Sequence, residues 1–283
     1  MDILLRKIDT IEELQKMAQL EQHVWKANPT PIHQTLTVAK NGGIVIGAYV
    51  AERMVGFVYS FPGYKNGEVY LCSHMLGIDE AFRNRGIGYM LKKAQAEEAM
   101  KAGYRNIRWT YDPLESRNGY LNIVKLGAVC SEYIENCYGE MNDALNKRLP
   151  SDRFYVEWHI GSAYLEERHR MFSQIHRSPE AEVLDWKERT NGEPEAVFPA
   201  KEWESFYDQP FLFVPIPLHF QHLKEKDHEL ALDWRYKTRE VFTRLFQAGW
   251  AVAHVLRNEN EPVLYYVLIK RDKPPLYEGR SGQ

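Results

Sequence analysis

Between residues 82 and 91 the sequence reads FRNRGIGYML, which places Arg83, Arg85, Gly86 and Gly88 within six positions at the mouth of a helical pattern. A helix N-terminus leaves about four backbone N–H groups unpaired and carries a partial positive charge. Most helix starts meet these groups with a capping side chain, whereas this one has removed side chains. Glycine lets an anion come close to the backbone, and the flanking arginines add charge and hydrogen-bond donors. The segment reads as an anion cradle that a diphosphate would fit. Two familiar phosphate motifs do not match it. The P-loop requires Gly-Lys-Ser/Thr, and the dinucleotide pattern requires a glycine where Leu91 stands.

The rest of the chain bounds what such a cradle can serve. With 283 residues the length suits about two domains. A net charge of -3 argues against a general nucleic-acid binder, because no basic excess is present to neutralise phosphates. No apolar run approaches membrane-spanning length, and the first ten residues lack a signal-peptide profile. Cys72, Cys130 and Cys137 form no CxxC pair, so neither a disulfide framework nor a zinc site is expected, and a cytoplasmic location is the simplest expectation. These cysteines read as small buried apolar residues. His219, His222 and His228 lie in a polar helical stretch and are read as solvated, so no metal is expected.

Patterning places the cradle between elements. Residues 2–8 alternate as a short strand. Thr10 with Glu13 forms a capping box ahead of an amphipathic helix to about Trp25, and Pro31 opens a second helix ending at Gly42-Gly43. Three β runs follow, IVIGAYVA, VGFVYSF and EVYLCSHMLGI. The last leads into the cradle and a helix to about Ala102, with a stripe of Ile87, Met90, Leu91 and Ala94 expected to be buried. Then come the strand NIRWTYD, a helix from about Ser116 to Leu126, a strand through Tyr133 and the strand RFYVEWHI. Residues 160–197 are polar and read as irregular. Order returns in FLFVPIP, a long helix carrying Trp234, Val241, Leu245 and Phe246, and the strand pair WAVAHVL and VLYYVLI.

The motif R-x-x-G-x-G, from Arg83 through Gly88, with this order of elements and the KLGA segment at 125–128, resembles the GNAT superfamily of acyl-CoA-dependent N-acyltransferases. The stretch WTYDPLESRNGYLNIVKLGA resembles a bacterial subgroup with an extended C-terminal portion, some of whose members acylate amino acids, including with succinyl-CoA. The resemblance implies an α+β fold, a mixed and mainly antiparallel sheet flanked by helices, with a C-terminal α+β extension. It implies an acyl-CoA-binding domain over 1–160, a connecting segment over 161–197 and the extension over 198–283. The implied co-substrate is acetyl-CoA or another acyl-CoA. Backbone amides of Arg85, Gly86, Ile87, Gly88 and Tyr89 would hold its pyrophosphate, with Arg83 beside them. Leu76 to Ile78 would line the pantetheine, the amide near Ile78 polarising the acyl carbonyl. The next strand must splay away, and Pro113 is placed to help end its pairing.

The chemistry departs from the family's pattern at two positions. The carboxylate expected on the strand before the loop falls near Cys72, and the tyrosine that serves as general acid falls at Ile123. His74 is the nearest titratable substitute as base, on the same strand face as Leu76 and Ile78 unless a bulge intervenes. Asp112 and Glu80 are rivals, although Asp112-Pro113 also reads as a turn. Tyr120 is the substitute acid, one helical turn before Ile123. The expected acceptor is a small-molecule amine or amino acid, its carboxylate open to Arg117 or Arg153, with no nucleic acid or membrane partner. The C-terminal portion could cap the acceptor or build a homodimer interface. A non-catalytic acyl-CoA sensor and a protein-lysine acetyltransferase are the rival readings.

Overall fold

A computed structural model describes residues 2–139 and 149–272. They form a mixed α+β fold whose strands pair mainly antiparallel, flanked by helices. Compactness divides the chain into one unit of residues 1–109 and 158–161 and a second of residues 110–157 and 162–283. The chain passes from one to the other three times, at 109/110, 157/158 and 161/162. The end of the C-terminal extension expected from the sequence, residues 273–283, lies outside the described residues.

In the first unit, β1 (Leu4–Lys7) is followed by α1 (Ile11–Trp25) and α2 (Ile32–Lys40). Thr10 caps α1 as its sequence predicts, accepting from the Glu13 N–H at 3.3 Å. Pro31 stands one position before the first residue of α2. Three long strands follow, β2 (Ile44–Val50), β3 (Arg53–Lys65) and β4 (Glu68–Ile78). Asn66 and Gly67, both at positive φ, close the β3–β4 hairpin. The strands run β1-β2-β3-β4, each antiparallel to the next, and β4 then pairs in parallel with β5 (Asn106–Tyr111).

Both faces of this sheet are covered, which explains why β2 reads as a nearly continuous apolar run. On one face Leu14, Met17 and Leu20 of α1 pack on Val45, Tyr49, Phe57 and Tyr59. Against the other lies α3 (Ile87–Lys101), burying Ile87, Leu91, Ala96 and Ala99. The buried stripe is not the expected apolar one. Met90 and Ala94 are only half-buried, and Lys92 and Gln95 are fully buried in their place.

Lys92 has no carboxylate partner among the described residues. Its Nζ donates to Ser73 Oγ at 2.9 Å and Gln95 Oε1 at 3.1 Å, and stands 3.6 Å from the centre of the Trp109 ring. Burial disfavours the ammonium and lowers its pKa from 10.5 to about 7, slightly opposed by the Cys72 thiol.

The second unit contains α4 (Ser116–Gly119), which runs on as a π-helix over Tyr120–Lys125, then β6 (Val129–Ile134) and β7 (Arg153–His159). The segment expected to be irregular holds α5 (Ala163–Phe172) and a hairpin of β8 (Asp185–Glu188) and β9 (Pro194–Val197). Its polarity misled because only one stripe of α5 is buried, Tyr164, Arg168 and Phe172. Arg168 also belongs to that stripe for polar reasons, donating to the Val124 carbonyl at 2.7 Å.

β10 (Leu212–Pro217), α6 (Phe220–Lys226), α7 (His228–Gln247), β11 (Trp250–Arg257) and β12 (Val263–Lys270) complete the unit. The face of α7 carrying Trp234, Val241, Leu245 and Phe246 is buried here, with Phe242 meeting Phe154 edge-on at 4.7 Å. Arg235 on that helix is 1% exposed and donates to Asp112 Oδ2 at 2.5 Å.

Two stability predictions follow from these buried charges. Lys92 in the unfolded chain keeps its proton up to its ordinary 10.5, whereas the folded chain sheds it near 7. Between those values the unfolded state binds the extra proton, so stability rises with pH, by about 1.4 kcal/mol per pH unit for one proton. Urea unfolding of wild type and Lys92→Met between pH 6 and 9.5 is expected to converge with rising pH; parallel curves would refute the buried, depressed lysine. Asp112→Ala strands the Arg235 guanidinium and is expected to cost roughly 3–5 kcal/mol, read as a lowered urea midpoint; an unchanged midpoint would count against the pair.

Candidate functional site

The chain enters the cradle from β4 through Asp79. The Asp79 carboxylate accepts from the Ala81 N–H at 3.0 Å and from Arg53 at 2.5 Å, fixing a short 3-10 turn over Glu80–Phe82. Burial alone would raise its pKa, but these two donors outweigh it and the net shift is downward. Arg83 follows exposed, and Arg85 lies 5.4 Å from the Phe82 ring centre. Asn84 and Gly86 take positive φ, 62° and 77°, so the backbone curls before α3 begins at Ile87. No side chain caps α3, and the first helical bond runs from Met90 N–H to the Gly86 carbonyl. The N–H groups of Ile87, Gly88 and Tyr89 precede that bond. A Cβ built on Gly86 meets nothing within 4 Å, so space stands open over this backbone.

β4 supplies the approach to the cradle. Its described pairing with β5 comprises Leu71 with Ile107 and Cys72 with Arg108. Beyond Cys72 no β5 partner is described, and the edge from Ser73 to Ile78 is free to receive a strand-like ligand. Pairing stops well before Pro113, so the proline is not its cause. The interruption coincides with a bulge: Ser60 faces Ser73 and Tyr59 faces Met75, leaving His74 as the extra residue of β4.

The bulge reassigns the faces of the strand. Ser73 turns toward α3, bonded to Lys92 and Gln95. His74 turns the other way, its ring 5.7 Å from Phe61 and 6.2 Å from Tyr59. Ile78 lies on the α3 side, where its Cδ1 and Ile87 crowd Gly56. His74 and Ile78 are therefore on opposite faces, and the shared face expected without a bulge is corrected.

On its own face His74 lines an open cavity of about 690 Å3 with Pro29, Gln34, Thr37, Tyr59 and Phe61 among its walls. The loop between α1 and α2 that forms one wall is pinned by Glu21, which accepts from the Thr30 N–H at 3.0 Å and hydroxyl at 2.9 Å. Glu21 Oε2 and the Tyr59 hydroxyl are buried without a partner. The surrounding protein lowers the His74 pKa below 6.5, with Glu21 pulling weakly upward. A histidine so placed is neutral at pH 7 and can accept a proton.

Sequence reasoning missed Lys92 and Ser73. A signal was present, because Lys92 and Gln95 fall on the helical stripe that contains Ile87, Leu91 and Ala99. The other candidates lie in the second unit. Asp112 sits in a turn, accepting from the Leu114 N–H at 2.9 Å, and its other oxygen is held by Arg235. Tyr120 is 44% exposed at the start of the π-helix, with the Lys125 Nζ 5.6 Å from its ring centre, while Ile123 is fully buried. Arg153 is buried within 3.9 Å of Asp112, and Arg117 is exposed. Cys130 is buried, and Cys72 and Cys137 are half-buried. Among the described residues no cluster of His, Cys, Asp or Glu could hold a metal ion, and no helix is long and apolar enough to cross a membrane.

Residues 8–119 match the model of the acetyltransferase (GNAT) family. No curated protein matches. Among solved structures, the ribosomal-protein-S18-alanine N-acetyltransferase from Escherichia coli is similar at 14% identity and a TM-score of 0.47, covering 57% of this chain and 96% of that one. The NatC complex bound to Gag peptide and CoA gives 15% identity and 0.46, over 56% of this chain and 99% of that one. Aminoglycoside 6'-acetyltransferase type Ii gives 18% identity and 0.45, over 56% of this chain and 97% of that one. The segment that matches the acetyltransferase (GNAT) family model is the one that carries the uncapped turn before α3, the edge of β4 and the bulge.

Proposed function

We propose that the protein is an N-acyltransferase moving an acetyl or succinyl group from acyl-CoA to the amine of a small molecule such as an amino acid. The carrying observation is the uncapped start of α3 beside a free strand edge. The open space over Gly86 supports a fit with a diphosphate, and the unpaired edge from Ser73 to Ile78 supports a fit with the amide-bearing pantetheine arm. In this reading the amides of Arg85, Gly86, Ile87, Gly88 and Tyr89 bind the pyrophosphate, with Arg83 and Arg85 adding charge. Leu76 and Ile78 line the arm, and a backbone amide near Ile78 orients the acyl carbonyl. When bound, acyl-CoA supplies an activated thioester.

The cavity beside His74 takes the acceptor. An amine is mostly protonated near pH 7, and a neutral histidine at the cavity wall accepts the proton it must lose. Asp112 is held by Arg235, which favours His74 over it as base. The Tyr59 hydroxyl, buried without a hydrogen-bond partner in a residue that lines this cavity, supports a polar acceptor.

Thermal unfolding with CoA, acetyl-CoA and succinyl-CoA tests the cradle. A ligand at a hundred times its Kd adds about 2.7 kcal/mol, which is several degrees in Tm. The shift is expected for wild type and lost in Gly88→Glu; no shift with any of the three would reject the reading. A shift without free-thiol release against amines and amino acids would instead favour a sensing protein. For His74→Gln, kcat/KM is expected to drop ~100-fold. In wild type, kcat/KM falls as pH drops through the lowered His74 value, and this acid limb should vanish in the variant. A variant retaining both rate and limb would remove His74 from the chemistry.

A further inference from the structure

The cavity beside His74 has no cation in its lining. The described residues around it all belong to the first unit, and none is a lysine, an arginine or a carboxylate. The α1–α2 loop contributes Asn28, and α2 contributes Gln34 and Thr37, which offer only neutral amides and a hydroxyl. β3 and β4 contribute three rings. Phe61 stands 5.7 Å from His74 and 6.2 Å from Tyr59, centre to centre.

A fixed negative charge stands one layer behind this lining. Glu21 of α1 is 7% exposed, and its Oε1 accepts from the N–H and the hydroxyl of Thr30, a residue of the cavity wall. Its Oε2 is buried with no partner among the described groups, so the charge is not paired there. The same placement answers the one anion-binding feature nearby. α2 begins at Ile32 without a side-chain cap, and its start borders the cavity at Pro31. An uncapped helix start attracts an anion, and Glu21, held on the residue before Pro31, already supplies one. A second carboxylate in the cavity would meet that charge with no cation in the lining to offset the repulsion. The field reaches the ring-bearing wall. Burial is the main influence on both residues there, raising the Tyr59 pKa and lowering that of His74, and in both the Glu21 charge comes next, pulling upward.

We propose that this cavity selects primary amines whose remaining body carries no carboxylate, holding them as ammonium ions against the rings of Tyr59, Phe61 and His74. The use of the bound amine rests on the acyl-transfer reading above, whose acceptor is narrowed here: an amino acid fits only with its carboxyl group amidated or missing. Ring faces attract an ammonium, and the side chains of Asn28, Gln34 and Thr37 bond the uncharged remainder. Glu21 touches no ligand. It determines specificity through the wall, by a charge that favours the ammonium and disfavours the carboxylate.

Two matched pairs, tyramine against tyrosine and phenylalaninamide against phenylalanine, test this on the full chain. Calorimetric binding with and without CoA is expected to favour the carboxyl-free member by ~10-fold or more in wild type. Glu21→Gln keeps a carbonyl for the Thr30 bonds and removes the charge, so this ratio should shrink several-fold. A pair's own difference in amine basicity is common to both proteins and cancels in that comparison. Thr37→Arg places a cation at an exposed position of the wall and should narrow the gap from the other side, by tightening tyrosine and phenylalanine. Turnover with acetyl-CoA should show the same preference in kcat/KM. Members of a pair bound within twofold of each other, tighter binding of the free acids, or no binding of either member under both conditions would overturn the proposal. A ratio unmoved in both variants would overturn it too. Selective binding of the carboxyl-free members without CoA binding or free-thiol release would refute the acyl-transfer reading while leaving the selectivity of the cavity standing.

Discussion

One inserted residue in β4 organises the first compact unit. A sheet face is set by a period of two, so an extra residue transfers everything beyond it to the opposite side. The insertion at His74 leaves Ser73 facing α3 and His74 facing the cavity, and the described pairing with β5 ends two residues earlier, at Cys72. With the bulge, the same eleven residues line a core on each face, keep a free edge and turn a titratable ring toward solvent-accessible space.

The flanking elements are arranged to hold that interruption. Against one face α1 supplies a dense apolar wall, and Trp25 meets Phe57 edge-on at 5.9 Å, just where a Cβ on Gly77 would collide with both rings. Gly77 therefore keeps the strand close to α1 past the bulge. On the other face the contact is polar, and the ring of Lys92, Ser73 and Gln95 ties helix to strand by directional bonds. Apolar packing would tolerate a register slip better than three matched hydrogen bonds do. The polar triad thus pins the strand at the position where its pairing is interrupted.

Much of this was legible in the residues, and what was not has a common cause. The strands over 44–50, 53–65 and 68–78 follow from their apolar runs and from the Asn66-Gly67 turn, and Thr10 marks the start of α1 by local chemistry alone. The turn before α3 was visible because Gly86 and Gly88 break the side-chain pattern at the mouth of a helix, and Gly86 takes the positive φ that glycine allows. A bulge is hard to place locally: in CSHML the polar pair Ser73-His74 interrupts the alternation without fixing where the extra residue stands, and the partner residues Tyr59 and Ser60 show the slip. The ion pair of Asp112 with Arg235 joins residues 123 apart, beyond the reach of any periodicity. α5 was hidden because six of its ten residues are Glu, Arg, His or Met in YLEERHRMF and its neighbour Ala163, which mask a stripe of three.

The same helix fixes both ends of the free edge. The first N–H groups of α3 stand at the cradle, and Lys92 lies about 7.5 Å along its axis from Ile87, at 1.5 Å per residue. Both carry positive charge or partial positive charge, in a chain whose net charge is -3. The positive potential on this side of the sheet is therefore built from one rigid element and does not depend on surface arginines alone. Surface charge is screened over about 10 Å in ordinary salt, whereas a buried ammonium over an indole face is screened far less. The bonds to Ser73 and Gln95 and the indole face of Trp109 are what this buried position gives the lysine, and they offset part of the cost of its burial.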